Sequence, residues 1–252
     1  MLRVERRGDV LILTLDRPER LNAAPPALFD AIRDALEARA DARAVLIAGE
    51  GRAFCSGADI SGGDVGPDTV HRALVGHYNP AMLALADLPI PVVSAVRGAA
   101  AGIGCSLALA ADFCVASENA YFLHAFVNIG LVPDGGASWM LPRLIGRARA
   151  AEMMMLGERV PAAKALDWGM IHKVVADDVL DAEALALAAR LAAGPSIALG
   201  RMRRALQAGL EGDYATALAR EADDQRAARA THDGEEGGRA FFEKRLPRFL
   251  GR

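Results

Sequence analysis

Pro91-Val92-Val93-Ser94-Ala95-Val96-Arg97-Gly98-Ala99-Ala100-Ala101-Gly102-Ile103-Gly104 is the stretch on which the fold of this chain is read. Its first half is a short apolar run that reads as a buried strand. Its second half is a cluster of glycine and alanine, and the apolar segment 105–111 that follows reads as a helix. A strand delivered through glycines into a helix leaves the amides of the first helical turn facing outward, where they can meet an anionic group. Tight strand–helix packing, which also demands small residues, fits the pattern equally well. Two other functions are disfavoured here. The dinucleotide pattern G-x-G-x-x-G is absent, and Gly104-Cys105-Ser106-Leu107-Ala108 lacks the last glycine of a nucleophile elbow.

Working outward, the same alternation recurs. Val10-Leu11-Ile12-Leu13-Thr14-Leu15 reads as a core strand stopped by Asp16-Arg17-Pro18, and residues 25–39 carry Leu28, Ile32, Ala35 and Leu36 at helical spacing. Val45-Leu46-Ile47-Ala48 and Phe113-Cys114-Val115-Ala116 read as further strands, residues 69–86 as a helix, and 61–67 as a mobile Gly/Pro loop. After residue 140 the pattern is helical apart from 171–175. Leu180, Ala184, Leu187 and Leu191 share one helical face, and Gly194-Pro195 opens a last, strongly charged helical segment. The fold class that follows is α/β, a sheet with crossover helices.

Composition excludes several functions. A net charge of −3 over 252 residues argues against a nucleic-acid partner. Cys55, Cys105 and Cys114 have no paired ligand spacing, and the five histidines form no H-E-x-x-H cluster, so neither a disulfide framework nor a metal site is expected. The N-terminus lacks a signal peptide's apolar core, and no uninterrupted apolar run reaches roughly 18 residues. A cytoplasmic protein without a membrane span is expected.

Two further stretches carry chemistry. Phe54-Cys55-Ser56-Gly57-Ala58-Asp59-Ile60 is glycine-punctuated and offers the peptide N–H of Ala58; Asp59 itself reads as an N-cap or turn residue. Gly130-Leu131-Val132-Pro133-Asp134-Gly135-Gly136 holds one acid. Asp134 alone reads as a turn aspartate capping a helix that begins near Gly135. Beside two free amides, it reads instead as a base working next to a carbonyl, its pKa raised by apolar Val132 and Pro133.

The three stretches, in this order and spacing, resemble the crotonase (enoyl-CoA hydratase/isomerase) superfamily. The likeness runs from Asp16-Arg17-Pro18-Glu19-Arg20-Leu21-Asn22-Ala23 to the basic C-terminal tail, and residues 125–143 are most similar to the phenylacetate-pathway 1,2-epoxyphenylacetyl-CoA isomerase branch. The resemblance implies a spiral of β–β–α turns over residues 1–194 carrying an acyl-CoA site. It also implies a helical region, 195–252, that caps the site and mediates oligomerisation. It implies an oxyanion hole from the amides of Ala58 and Ile103, with Ala58, Asp59, Ile60 and Ser61 lining the acyl-CoA site and Arg20 and Leu21 along the CoA moiety. Coenzyme A would arrive as part of the substrate, with no separate cofactor, and the assembly would be a homotrimer or a dimer of trimers.

The departures from the family sharpen the reading. A hydratase of this family uses two glutamates to activate water; their positions hold Ser106 and Phe126 here. Serine cannot act as a carboxylate base and phenylalanine excludes water, so Asp134 is the acid left for the chemistry. An acyl-CoA isomerase moving a double bond, or opening a ring epoxide, is therefore expected ahead of an enoyl-CoA hydratase. A catalytically silent acyl-CoA-binding protein is the alternative from another class. His124 and Asn128 either face the acyl pocket or, the favoured reading, are satisfied polar residues at a subunit contact, and Trp139 is expected in core or interface. The tail 239–252 is either solvated or reaches CoA phosphates.

Overall fold

The computed structural model describes residues 1–61 and 66–252. The loop expected over 61–67 lies, at residues 62–65, outside the described residues. The chain opens with β1 (Leu2–Arg7), β2 (Val10–Leu15), a 3-10 turn at Pro18–Arg20, α1 (Pro26–Glu37) and β3 (Ala44–Gly49). It continues with α2 (Pro67–Ala73), a π-helical turn Leu74–Tyr78, α3 (Asn79–Ala86), β4 (Val92–Val96), β5 (Ala99–Ala101) and α4 (Ile103–Leu109). Then follow β6 (Phe113–Ser117), β7 (Tyr121–Leu123), a 3-10 segment Ala125–Ile129, α5 (Ala137–Leu156), β8 (Val160–Pro161), α6 (Ala162–Asp167) and β9 (Lys173–Val175). The C-terminal part is helical: α7 (Leu180–Ala192), α8 (Ser196–Gly209), α9 (Tyr214–Arg229) and α10 (His232–Phe242). Among the described residues no single helix is long and apolar enough to cross a membrane.

Six strands form one sheet in the order β1-β2-β3-β4-β6-β9, parallel except for the antiparallel β1–β2 pair. All six residues of β2 are buried, because both faces of the sheet are covered. Leu11, Leu13 and Leu15 face the main core with α1 and α4, while Val10 and Ile12 face α7. The edge strand β1 is exposed and charged, which blunts it against pairing with another chain. A second, smaller sheet, β5-β7-β8, stands beside the carboxyl ends of the large one. The short strands β1, β5, β7 and β8 escape a periodicity reading because each is too brief or too polar to carry a pattern.

Two elements differ from expectation in instructive ways. The buried stripe of α7 is Leu180, Ala184, Ala188 and Ala192, with Leu187 and Leu191 only partly buried against it. Alanine lets the helix axis approach the sheet, so small residues win the inner positions. The helix expected over 69–86 is one helical run widened by the π turn. Pro80 has no amide to close the α ladder onto Gly76, and the widening precedes it directly.

What positions the candidate site is the docking of α4. A Cβ added at Gly104 would stand 2.5 Å from the Cβ and 2.7 Å from the carbonyl oxygen of Cys55. The Ser94 hydroxyl on β4 donates to the Ala108 carbonyl at 2.8 Å, fixing the far end of the helix. Gly104→Ala should therefore push α4 off Cys55 and cost about 1–3 kcal/mol of stability, measured as a lowered denaturant midpoint. An unchanged midpoint would mean the helix is free to shift.

Candidate active site

Cys55 and Ala100 form an isolated parallel bridge: the Cys55 amide donates to Ala99 O at 3.0 Å and the Ala101 amide to Cys55 O at 2.9 Å. Three residues beyond each partner lie Ala58 and Ile103, so the bridge sets the two amide-bearing turns side by side. A Cβ placed on Gly102 would sit 3.7 Å from the Cα of Gly57. No side chain separates the turns.

Among the described residues each amide is free for a definable reason. Ala24 pairs across Ala58, donating to Gly57 O at 2.8 Å and accepting from the Asp59 amide at 2.9 Å. In a parallel bridge of this kind the N–H of Ala58 points away from Ala24, and Ala58 is exposed. Ile103 is the first residue of α4, so its N–H has no partner within the helix; its side chain is buried. The helix begins two residues earlier than the apolar pattern suggested, because Gly102 (φ 53°, ψ −128°) makes the turn that Ile103 needs.

Asp134 approaches the same place from the other side. Gly135 rests on α4: its Cβ, if it had one, would lie 2.5 Å from Ile103 Cδ1 and 2.6 Å from Ser106 Cβ. The Ser106 hydroxyl donates to the Asp134 carbonyl at 2.9 Å. Asp134 Oδ1 is buried and has no hydrogen-bond partner among the described residues. The N-cap of α5 is Gly136, with no side-chain cap, so Asp134 does not serve as the capping residue of that helix. Burial pushes its pKa up to about 6. Val132, 81% exposed, contributes little to that enclosure, while Pro133 is half-buried. Tyr78, buried on the π turn, feels the Asp134 charge, and its hydroxyl donates to Ala24 O at 2.8 Å.

The residues expected to receive coenzyme A form a polar rim. Arg20 ends the 3-10 turn, Leu21 (φ 51°) and Asn22 (φ 54°) follow in left-handed conformations, and the fully buried Asn22 amide holds Glu50 O and Ala53 O at 2.9 and 2.7 Å. Arg20 reaches Ser61 Oγ at 2.6 Å. Asp59 accepts from Ser61 Oγ at 2.6 Å and from Arg17 at 2.8 Å. Those two contacts, Ser61 first, hold its carboxyl down at about 2. Asp59 is thus a braced anion shaping the loop. Ile60 stands 69% exposed at the rim.

Phe126 lies over the start of α4, its Cζ 3.5 Å from a Cβ position on Gly102. His124 stacks behind it at 5.8 Å and is fully buried, with both ring nitrogens unpartnered among the described residues; burial pushes its pKa down to about 4. The expectation of a satisfied His124 does not hold within this chain. Asn128 is satisfied within the chain, donating to Gly157 O at 3.0 Å. Trp139 is 38% exposed under Arg143 and so is not a core residue. A groove of about 780 Å³ opens beside Gly135 and Gly136, walled by apolar Met82, Leu83, Leu109 and Met140. The chain end is not freely solvated: Asp233 accepts the Leu250 and Gly251 amides at 2.7 Å each, and Glu236 binds Arg245 and the Arg248 amide. The sequence patterns missed Tyr78 and the Ser106–Asp134 bond. A periodic apolar reading hides a polar residue whose partner is distant in the chain.

These features coincide with a known family. Residues 5–252 match the family model described as enoyl-CoA hydratase/isomerase. A "probable enoyl-CoA hydratase" of Rhodobacter capsulatus is 42% identical over 252 residues, covering 100% of this chain and 98% of that protein. The 1,2-epoxyphenylacetyl-CoA isomerase of Escherichia coli K12 is 40% identical over 250 residues, covering 96% and 95%. The crystal structure of an enoyl-CoA hydratase from Polaromonas sp. JS666 superposes with a TM-score of 0.93 at 36% identity, covering 98% and 99% of the two chains. The chain belongs to the enoyl-CoA hydratase/isomerase family of the crotonase superfamily, and its fold is the crotonase fold with a helical C-terminal region.

A carboxyl group whose pKa is higher in the folded than in the unfolded state binds its proton preferentially in the folded state. Its stability contribution is therefore greatest at low pH and declines as pH rises from about 4 to about 6. Asp134→Asn should then be more stable than the parent at pH 8, by roughly 1–3 kcal/mol, with the gap closing near pH 4. Equal stabilities at pH 8 would mean the carboxylate is well solvated.

Proposed function

We propose that this chain is an acyl-CoA isomerase that moves a double bond, or opens a ring epoxide, by transferring a proton α or γ to a CoA thioester. One observation carries the reading: Asp134 is a half-buried carboxyl whose buried Oδ1 has no hydrogen-bond partner among the described residues, on the loop packed against α4, while Ser106 and Phe126 occupy the positions where a hydratase of the family would carry its glutamates. The amides of Ala58 and Ile103 would receive the thioester oxygen and hold the enolate or dienolate. Each such donor contributes about 3 kcal/mol where the charge develops. Asp134, with a pKa near 6, is largely ionised at neutral pH yet basic enough to take a carbon-bound proton in a water-poor site and return it elsewhere. No metal or redox cofactor is needed for these steps.

Coenzyme A would enter with the substrate along Arg20 and Leu21, its thioester passing Ala58, Asp59, Ile60 and Ser61. The apolar groove beside Gly135 suits the acyl group, including a ring. The similarity to the Escherichia coli epoxide isomerase supports the ring version. Hydration is the second reading, favoured by the name of the 42% identical relative. It would require water to be oriented without a second carboxylate.

Incubation with 3-enoyl-CoA, 2-enoyl-CoA and the epoxide thioester in deuterated buffer separates the readings. Isomerised product with deuterium at the α or γ carbon is expected. 3-Hydroxyacyl-CoA as the main product would favour hydration, and no turnover would leave an acyl-CoA-binding protein. Asp134→Asn should lower the exchange rate at least about a hundredfold while acyl-CoA still binds. The parent's kcat/KM should rise with pH through an apparent pKa near 6 as the base ionises.

Oligomerisation belongs to the same proposal. Phe241, Phe242 and Leu246 are 80%, 83% and 88% exposed at the end of α10 and beyond, and Ile129 is 67% exposed beside the site. Apolar surface of this kind suits burial against further copies of the chain, as a homotrimer or paired trimers. Sedimentation should give a mass of three or six chains. Phe241→Asp/Phe242→Asp should shift it toward the monomer; a monomeric parent would refute the assembly.

A further inference from the structure

We propose that Ser106 is a positioning residue for Asp134: its hydroxyl, donating to the Asp134 carbonyl, fixes the peptide that carries the carboxylate. The inference rests on the reading of Asp134 as the base. Ser106 is fully buried in the second turn of α4. A buried helical serine commonly turns back on its own helix and bonds the carbonyl four residues earlier. Here that carbonyl, Gly102 O, already accepts the Cys105 and Ser106 amides at 3.0 and 3.2 Å, and the Ser106 hydroxyl crosses to the Asp134 loop instead, at 2.9 Å.

The loop has few other holds. Leu131 is tied to Phe126 O at 2.9 Å and Ala137 bonds back to Asp134 O at 3.2 Å. Between them, the Ser106 bond is the one hydrogen bond among the described residues that joins 132–136 to another segment. Gly135, at φ +61°, completes the clamp by lying against Ser106 and Ile103 with no room for a side chain. The same helix therefore presents the Ile103 amide at its first residue and anchors the base one turn later. The distance between base and oxyanion donor is set by a rigid element.

The clamp is tight from the loop side: a Cβ on Gly135 would come within 2.6 Å of Ser106 Cβ.

The test compares Ser106→Ala, Ser106→Cys and Asp134→Asn in the full-length protein, using 3-enoyl-CoA isomerisation and solvent deuterium exchange. Ser106→Ala should lower kcat about 10–100-fold with KM changed less than about threefold, because a base displaced by a fraction of an ångström still permits binding. Ser106→Cys, a weaker donor of similar shape, should fall between, which covers the case where the alanine variant does not fold. Wild-type kcat in both serine variants, with Asp134→Asn inactive, would overturn the positioning role alone. Retained exchange in Asp134→Asn would overturn the base assignment and the positioning role with it. A loss in Ser106→Ala that appears in KM instead of kcat would make the serine a binding-loop support and contradict the proposal.

Discussion

The pairing of Cys55 with Ala100 is the constraint on which the site depends. Two hydrogen bonds, from the Cys55 amide to Ala99 and from the Ala101 amide to Cys55, hold two glycine-rich turns in register outside the carboxyl ends of the large sheet. Everything chemical is counted from that bridge. Ala58 is freed by its pairing with Ala24, Ile103 by its place at the head of α4, and both lie three residues past the bridge. Gly104 leaves no room for a side chain beside Cys55, while Gly57 (φ 110°) and Gly102 (φ 53°) take backbone conformations that a side chain disfavours.

Asp134 brings an opposite demand to this frame. Buried ions usually keep hydrogen-bond partners that offset the cost of leaving water, yet Oδ1 has none among the described residues and the carboxyl's pKa rises to about 6. The contrast with Asp59 is informative, since both acids border the same cleft. Asp59 is braced by Ser61 and Arg17 and held near 2, which suits an anion that shapes a loop. Asp134 is left unbraced, and the strain that its ionisation adds to the fold is what makes it basic. Phe126 over the turn at Gly102 and the buried, neutral His124 behind it add apolar surface around the start of α4.

Much of this was legible in the sequence, for physical reasons. Long apolar runs such as 10–15 and 113–116 announce strands because parallel strands are buried on both faces. The glycines announced the turns, since a positive φ or a close approach leaves few other residues possible. The family resemblance named the two amides and Asp134 as the candidates. What stayed hidden depends on contacts between distant segments. The Ser106–Asp134 bond spans 28 residues, and Tyr78 reaches Ala24 across 54. The π turn arises from Pro80, yet only the fold shows that it aims Tyr78 at the site. The enclosure of Asp134 was expected from Val132 and Pro133; Val132 is exposed, and Pro133 is half-buried.

In the proposed reaction one carboxylate removes a proton beside the thioester and returns it to another carbon of the same substrate. Its most direct test is the fate of label from 2,2-dideuterio-3-enoyl-CoA in ordinary water. A single base carrying the proton between carbons predicts product 2-enoyl-CoA with a measurable share of deuterium at the γ carbon. Product without γ-deuterium, accompanied by water oxygen at C3, would contradict it.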